Sequence, residues 1–252
     1  MRFDVITLFP ELFGPFLQTG VTRRAFESRL VDVQLTNPRQ FSQGNYQRVD
    51  DRPFGGGPGM VMMAEPLAQC LQQVRALRCD DAPVVLFSPM GRRLDHAQVQ
   101  RWASSQGAIL VCGRYEGVDQ RFIDAHVDEQ VSLGDFVLSG GEIAAMALLD
   151  TVARLQPGVL GDACSHQQDS FNLTLDGLLD CPHYTRPESW SDVGVPQVLL
   201  SGHHAKVERW RRAQSLVLTE RWRPDLIALA RADGKLDAQD EAVLAERAFP
   251  DV

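Results

Sequence analysis

The chain has 252 residues, 44% of them hydrophobic, and a formal net charge of −8. That length and apolar content suffice for one large or two modest cored domains. The acidic balance excludes a generic polyanion-coating protein but leaves room for a local basic face. Cys70, Cys79, Cys112, Cys164 and Cys181 form no Cys-x-x-Cys pair and are odd in number, so they read as reduced thiols, not a disulfide frame or zinc site. The opening MRFDVITLFPELF has no basic run or small-residue cleavage site. No apolar run approaches the roughly 20 residues needed to cross a bilayer. The expectation is a soluble, cytoplasmic protein with no membrane partner and no DNA partner.

In chain order, Phe3 to Leu8 reads as a short apolar strand and Pro10 suits the first turn of a helix. Thr22 to Leu30 reads as a helix, and Val31 to Leu35 alternates at period two, as a strand should. Asn37 to Met60 is then long, polar and rich in Gly, Pro, Arg and Asp, a length that in a compact domain usually serves function. Its end, Asp50 to Met60, lacks Gly-Lys-Ser/Thr and follows no strand, so it is not a phosphate loop; a substrate lid or subunit contact is the reading. Glu65 to Leu77 is a helix, Pro83 to Phe87 a strand apolar enough for a sheet covered on both faces, Leu94 to Ser104 a helix, and Ala108 to Cys112 another buried strand. The recurrence of strand, loop and helix predicts an α/β domain with a largely parallel sheet.

Three glycine-rich connections follow these strand-like runs: Ser88–Gly91, Gly113–Asp119 and the stretch from Val131 to Gly141. The last reads as a short strand on each side of Gly134, with Gly140-Gly141 opening into a helix from Glu142 to Leu155. Glycines so placed let backbone approach a flat ligand and expose N–H groups at a helix start. Ligands of open parallel sheets sit at the carboxyl ends of the strands, so the three loops are expected to build one pocket. No GxGxxG follows the first strand, which disfavours a dinucleotide site.

Gly161 to Ser170 is polar and non-periodic, the expected interdomain linker. Beyond it Gln197–Leu218, Arg223–Ala232 and Asp237–Ala248 read as helices. Within Ser201–Arg223, Lys206, Arg209, Arg211, Arg212, Arg221 and Arg223 oppose Glu208 and Glu220, six charges against two, or +4. In an acidic chain that is a candidate phosphate-contacting face, with His203, His204 and Trp210 interleaved; the alternative is a solvated helix face.

The runs DDRPFGGGPGMVM (50–62), SPMGRRL (88–94), GRYEGVDQR (113–121), SLGDFVLSGGE (132–142), DSF (169–171) and LLDCPHYTRPE (178–188), with Val198 to His204, occur in one order over nearly the whole chain. Together they resemble the bacterial tRNA (guanine-N1)-methyltransferases that modify guanosine 37. The resemblance implies an α/β, trefoil-knotted, mostly parallel sheet with flanking helices over 1–160, a flexible linker over 161–172, and a small all-helical tRNA-binding domain over 173–252. It implies a homodimer with sites at the subunit interface, the acid of one subunit's linker lying over the other's cofactor. It implies S-adenosylmethionine held by Phe87, Ser88, Pro89, Gly113, Tyr115, Glu116, Gly117, Ser132, Leu133, Gly134, Leu138, Gly140 and Gly141. Asp169 is implied as general base and Arg154 as its electrostatic partner, with Asp50, Arg209, Arg211 and Arg212 on the tRNA substrate. Guanine N1 carries a proton and is a poor nucleophile until a carboxylate removes it, and an arginine stabilises the charge that then develops at O6. Taken alone, Asp169 reads as a solvated linker acid and Arg154 as a cation at a helix C-terminus. Phe136 and Phe54 stand where the family commonly has tyrosine, and Met90 replaces a polar residue. Magnesium dependence is associated with the family, but no acidic cluster has ligand spacing here. The alternatives are a knotted methyltransferase acting on ribose 2′-hydroxyls or ribosomal RNA, and a non-catalytic RNA-binding relative.

Overall fold

The computed structural model describes residues 1–78, 80–161 and 165–246. The chain divides into two compact units, Met1–Gly161 and Asp162–Val252.

The first unit begins with β1 (Arg2–Ile6), a 3-10 turn (Pro10–Leu12), α1 (Phe13–Gln18), α2 (Arg23–Glu27) and β2 (Asp32–Thr36). A small antiparallel hairpin, β3 (Asp50–Asp51) with β4 (Val61–Met62), leads into α3 (Ala64–Ala76). There follow β5 (Val84–Arg93), α4 (His96–Ala103), β6 (Gly107–Val111), α5 (Gln120–His126), β7 (Glu129–Ser132) and α6 (Glu142–Arg154). Five strands form one sheet in the order β2-β1-β6-β5-β7, and every pairing in it is parallel. The expected sheet class holds.

Burial on both faces explains the unbroken apolar runs. Ala108 and Leu110 of β6 join Phe3, Val5 and Val85 in a core with α6 residues Leu148, Leu149 and Val152. Ile109 and Val111 point the other way, with Ile6, Val84 and Leu86, against Leu67, Leu71 and Val74 of α3 and Phe122 of α5. Alternation along a strand places successive side chains on opposite faces, so a strand covered on both faces has no polar side.

Several elements differ from the sequence reading. The strand expected over Pro83–Phe87 continues to Arg93, because Val131 pairs with both Phe87 and Arg92 and the four residues between loop out of the sheet. The stretch after Gly134 forms no strand. The α5 helix was not expected, although Asp119 caps it by accepting from the Arg121 N–H at 2.9 Å. The helix expected from Thr22 to Leu30 ends at Glu27, with Arg29 in the left-handed region at φ 57°.

In the second unit, 3-10 turns at Ser165–Gln168 and Leu173–Leu175 precede a short exposed hairpin, β8 (Ser189–Trp190) and β9 (Val193–Gly194). Helices follow: α7 (Gln197–Leu200), α8 (His204–Trp222), α9 (Pro224–Ala232) and α10 (Ala238–Ala245). The single helix expected over Gln197–Leu218 is broken at Gly202, whose φ of 67° suits glycine and ends a right-handed helix. Among its described residues the regular structure is helical apart from that hairpin, with residues 178–185 irregular. Its core is Leu178, Leu216, Ile227 and Ala230. Residues 162–164 of the expected linker, Cys79, and the end of the last expected helix from 247 onward lie outside the described residues. Cys70, Cys112 and Cys181 are free and buried. Burial pushes the Cys70 thiol up to about 12 and raises the other two, so none is a thiolate nucleophile at neutral pH.

Candidate functional site

Each glycine-rich connection is positioned by its strand. Ser88–Gly91 is the excursion from β5, an interruption of the strand rather than the loop at its end that the sequence suggested. Residues 113–119 leave the end of β6 and turn into α5. Residues 133–141 leave β7 and open into α6. The second and third loops are joined by the Gly141 N–H, which donates to the Gly113 carbonyl at 2.9 Å. A Cβ at Gly141 would lie 2.7 Å from the Cys112 Cα, so only glycine lets the start of α6 come this close to the end of β6.

The three loops enclose one cavity of about 350 Å³. All thirteen residues named for the cofactor line it: Phe87, Ser88, Pro89, Gly113, Tyr115, Glu116, Gly117, Ser132, Leu133, Gly134, Leu138, Gly140 and Gly141. The wall also includes Leu86, Met90, Arg114, Val118, Gln120, Ile123, Phe136, Val137 and Ser139, which the sequence reading did not name as donor contacts. Arg114 was missed although it sits inside the GRYEGVDQR run, and Gln120 and Ile123 were missed with the α5 helix that carries them. Few charged side chains, apolar walls and glycine backbone suit a flat heterocycle with a polar edge.

A buried ionic network underlies the rim. Glu142, at the first turn of α6, is 1% exposed and accepts from the Thr7 hydroxyl at 2.8 Å. Its other oxygen lies 2.9 Å from the Arg114 Nε, an ion pair at contact distance that lacks hydrogen-bond alignment. The Arg114 guanidinium also donates to the Ser139 carbonyl at 3.2 Å and stacks 4.4 Å from the Phe9 ring centroid. Arg114 therefore ties the second loop to the third.

The Gly/Pro-rich stretch expected to be a lid is fastened at its base. The Glu116 N–H donates to the Met60 carbonyl at 2.9 Å, the Met62 N–H to the Gly117 carbonyl at 2.8 Å, and the Asp119 N–H to the Met62 carbonyl at 2.9 Å. Its far end is open to solvent, with Phe54 98% exposed. Asp50 lies in β3, opposite Met62. The Phe136 ring packs over Gly134, where a Cβ would meet it at 2.7 Å, so that departure keeps an aromatic wall. Met90 is exposed, and its N–H donates to the Ser88 hydroxyl at 3.2 Å.

Arg154 is the last residue of α6, in the first unit. Asp169 is half-buried in the second unit, just after the Ser165–Gln168 turn. Of the candidate tRNA contacts, Arg209 and Arg211 are exposed on α8. Arg212 is half-buried. It forms two hydrogen bonds to Asp240, at 3.0 and 2.6 Å, and a 3.0 Å ion pair with Asp176. These bonds hold the Asp240 carboxyl below the usual carboxylate range. A guanidinium so occupied holds α10 and Asp176 against α8, a structural task that the exposed Arg209 and Arg211 do not share. Arg223 is likewise bonded to Asp225, at 2.8 and 2.7 Å. Among the described residues, no group of three or more His, Cys, Asp or Glu side chains is placed to hold a metal ion, and no helix is long and apolar enough to cross a membrane.

The fold and cavity define an α/β protein with a backbone-lined ligand pocket at the carboxyl edge of a parallel sheet, followed by a helical unit. The family model described as tRNA (Guanine-1)-methyltransferase TrmD matches residues 1–229, and the chain belongs to that family. Among its relatives, a tRNA (guanine-N(1)-)-methyltransferase of Albidiferax ferrireducens is 74% identical over 98% of this chain and 100% of the relative. Those of Paracidovorax citrulli and Bordetella pertussis are 71% and 56% identical, each over 98% of both chains.

Proposed function

We propose that the protein transfers a methyl group from S-adenosylmethionine to N1 of guanosine 37 in the tRNA anticodon loop. The observation that carries this is the convergence of all thirteen donor-site residues on one cavity, in a chain of the tRNA (guanine-1)-methyltransferase family. The cavity fits such a donor: Leu86, Phe87 and Leu138 offer apolar surface to the faces of an adenine, and loop backbone meets its polar edge. When bound, S-adenosylmethionine supplies an electrophilic methyl group on a sulfonium. Asp169 accepts the guanine N1 proton, which turns the ring nitrogen into a nucleophile. Arg154 stabilises the negative charge that develops towards O6. Asp50, Arg209 and Arg211 contact the tRNA. The protein acts in the cytoplasm as a homodimer, each site using residues of both subunits, and the trefoil-knotted crossing belongs to the same reading. Exposed Val137 on the pocket wall and Ile143 on α6 are apolar surface suited to such a contact.

One assay tests the activity: labelled S-adenosylmethionine with tRNA transcripts carrying guanosine or adenosine at position 37. Label is expected only on the guanosine transcript, and nucleoside analysis is expected to place it on N1. Label on ribose, on another position or on neither transcript would refute the reading. In the same assay, mixing Arg154→Ala and Asp169→Ala subunits is expected to restore activity that neither has alone. Recovery at no mixing ratio would mean that each site is complete within one subunit.

A further inference from the structure

The run around Asp169 looks featureless in sequence, yet it folds around a single side chain. Asn172 is only 5% exposed, between Phe171 and Leu173, which are both exposed. Its Nδ2 donates to the His166 carbonyl at 2.9 Å, and its Oδ1 accepts from the Thr174 N–H at 3.0 Å. Its own N–H donates to the Asp169 carbonyl at 3.2 Å. Its carbonyl accepts from the N–H groups of Leu175 and Gly177, at 3.0 and 2.9 Å. One residue thus holds the chain on both sides of Asp169.

The far side of the turn is fastened as well. The Phe171 N–H donates to the Leu178 carbonyl at 2.8 Å, and the Asp180 N–H to the Ser170 hydroxyl at 2.9 Å. The segment they reach is stapled to α8: the Leu179 N–H donates to the Thr219 hydroxyl at 3.0 Å, and the Ser215 hydroxyl donates to the Leu179 carbonyl. A buried amide with both ends bonded keeps its place, because turning it would break both bonds and leave the amide itself buried without partners. The backbone that carries Asp169 is therefore fixed relative to α8 through Ser170 and Phe171, while Asn172 sets the shape of the turn itself.

We propose that Asn172 is a positioning residue for Asp169. Its side-chain amide sets the turn that presents the carboxylate, and so governs proton removal from the guanine rather than binding of the donor or the tRNA. This rests on the reading of Asp169 as the general base. A base must sit within hydrogen-bond reach of the proton it takes, and a displacement of about 1 Å costs on the order of 100-fold in rate.

The test uses the full chain and single-turnover methyl transfer for Asn172→Ala, Asn172→Asp and Asp169→Ala, and for each Asn172 variant combined with Asp169→Ala. Asn172→Ala is expected to lower the rate about 100-fold, while KM for the donor and for tRNA stays within about threefold. Asn172→Asp keeps the volume and the acceptor for Thr174 but loses the donor to His166, so its rate is expected to fall similarly. If thermal melting shows Asn172→Ala to be unfolded, Asn172→Asp carries the test. In the Asp169→Ala background, the Asn172 changes are expected to add less than about twofold, since two residues acting through one step are non-additive. An unchanged rate in Asn172→Asp, an effect on KM alone, or a full multiplicative loss in the double variants would overturn the proposal. A wild-type rate in Asp169→Ala would instead overturn the base assignment, whatever the Asn172 variants do.

Discussion

The two units build their surfaces by opposite means. In the first, a sheet buried on both faces, Leu110 against α6 and Ile109 against α3 and α5, supplies the stability. Its pocket depends on side chains that are missing, as at Gly141 against Cys112. In the second, the described core is smaller, built on Leu178, Leu216, Ile227 and Ala230, and it is tied by hydrogen bonds and ion pairs: Asn172, Ser215 and Thr219 as staples, Arg212 between Asp176 and Asp240. The contrast shows where each unit is vulnerable. Added volume should damage the first, and lost charge the second.

Arg212 should give the largest effect. Asp240 is 6% exposed, so Arg212→Met leaves a buried carboxylate without its cation. Breaking such a pair costs about 3 kcal/mol, and differential scanning calorimetry should show the second unit melting earlier while donor affinity in the first is kept. The pair also sets an acid limit. Arg212 depresses the Asp240 carboxyl from its ordinary value of 3.8, so the stabilisation is present in full above that pH and is lost as pH falls through the depressed value. Melting of the wild-type second unit should steepen its decline below about pH 4, and Arg212→Met should lack that acid step. Equal acid sensitivity in both proteins would show that other carboxylates set the limit.

Gly141→Val comes next. The new Cβ would fall 2.7 Å from the Cys112 Cα, an overpacking of about 1–3 kcal/mol. Titration calorimetry with S-adenosylmethionine should show an affinity loss on the order of tenfold or more, and the second unit should melt as before. Normal donor binding would mean that the α6 start can slide outward and that the close approach is not needed for the pocket.

The same contrast governs what could be read from the residues alone. The central strands of the sheet were legible because burial on two faces leaves long apolar runs such as Ala108–Cys112, and two of the three loops do follow the ends of parallel strands, β6 and β7. The excursion in β5 was not legible: it exists because Val131 pairs twice, a register decided by a distant strand. Nor was the bond from Thr7 to Glu142, which joins residues 135 apart in sequence. The break at Gly202 and the Asp119 cap of α5 rest on single local residues, a glycine at φ 67° and a carboxylate two residues before Arg121, which an apolar periodicity does not register. Arg212 looked like any other member of its basic run, since charge counts do not show that Asp240, 28 residues on, folds back to meet it. The roles of Asp169 and Arg154 came only from the resemblance, because a carboxylate in a polar stretch and an arginine ending a helix have ordinary explanations.

The smallest effect should come from the charges that Arg212's partners leave outside. Arg209 and Arg211 are exposed on α8, and if they meet tRNA phosphates they act additively and without regard to sequence. Each phosphate contact removed should lower the slope of log affinity against log salt by about one. Arg209→Ala with Arg211→Ala should therefore flatten it by about two, while thermal stability and donor affinity stay unchanged. Arg231→Ala is the matched control. It removes one positive charge from an exposed residue whose guanidinium is already bonded to Glu241, at 2.7 and 2.8 Å. If Arg231→Ala flattens the slope as much per charge as the α8 pair, the RNA senses only net charge. A larger effect on α8 would place the nucleic acid on that helix, because only there does losing the arginine release a bound phosphate instead of an internal carboxylate.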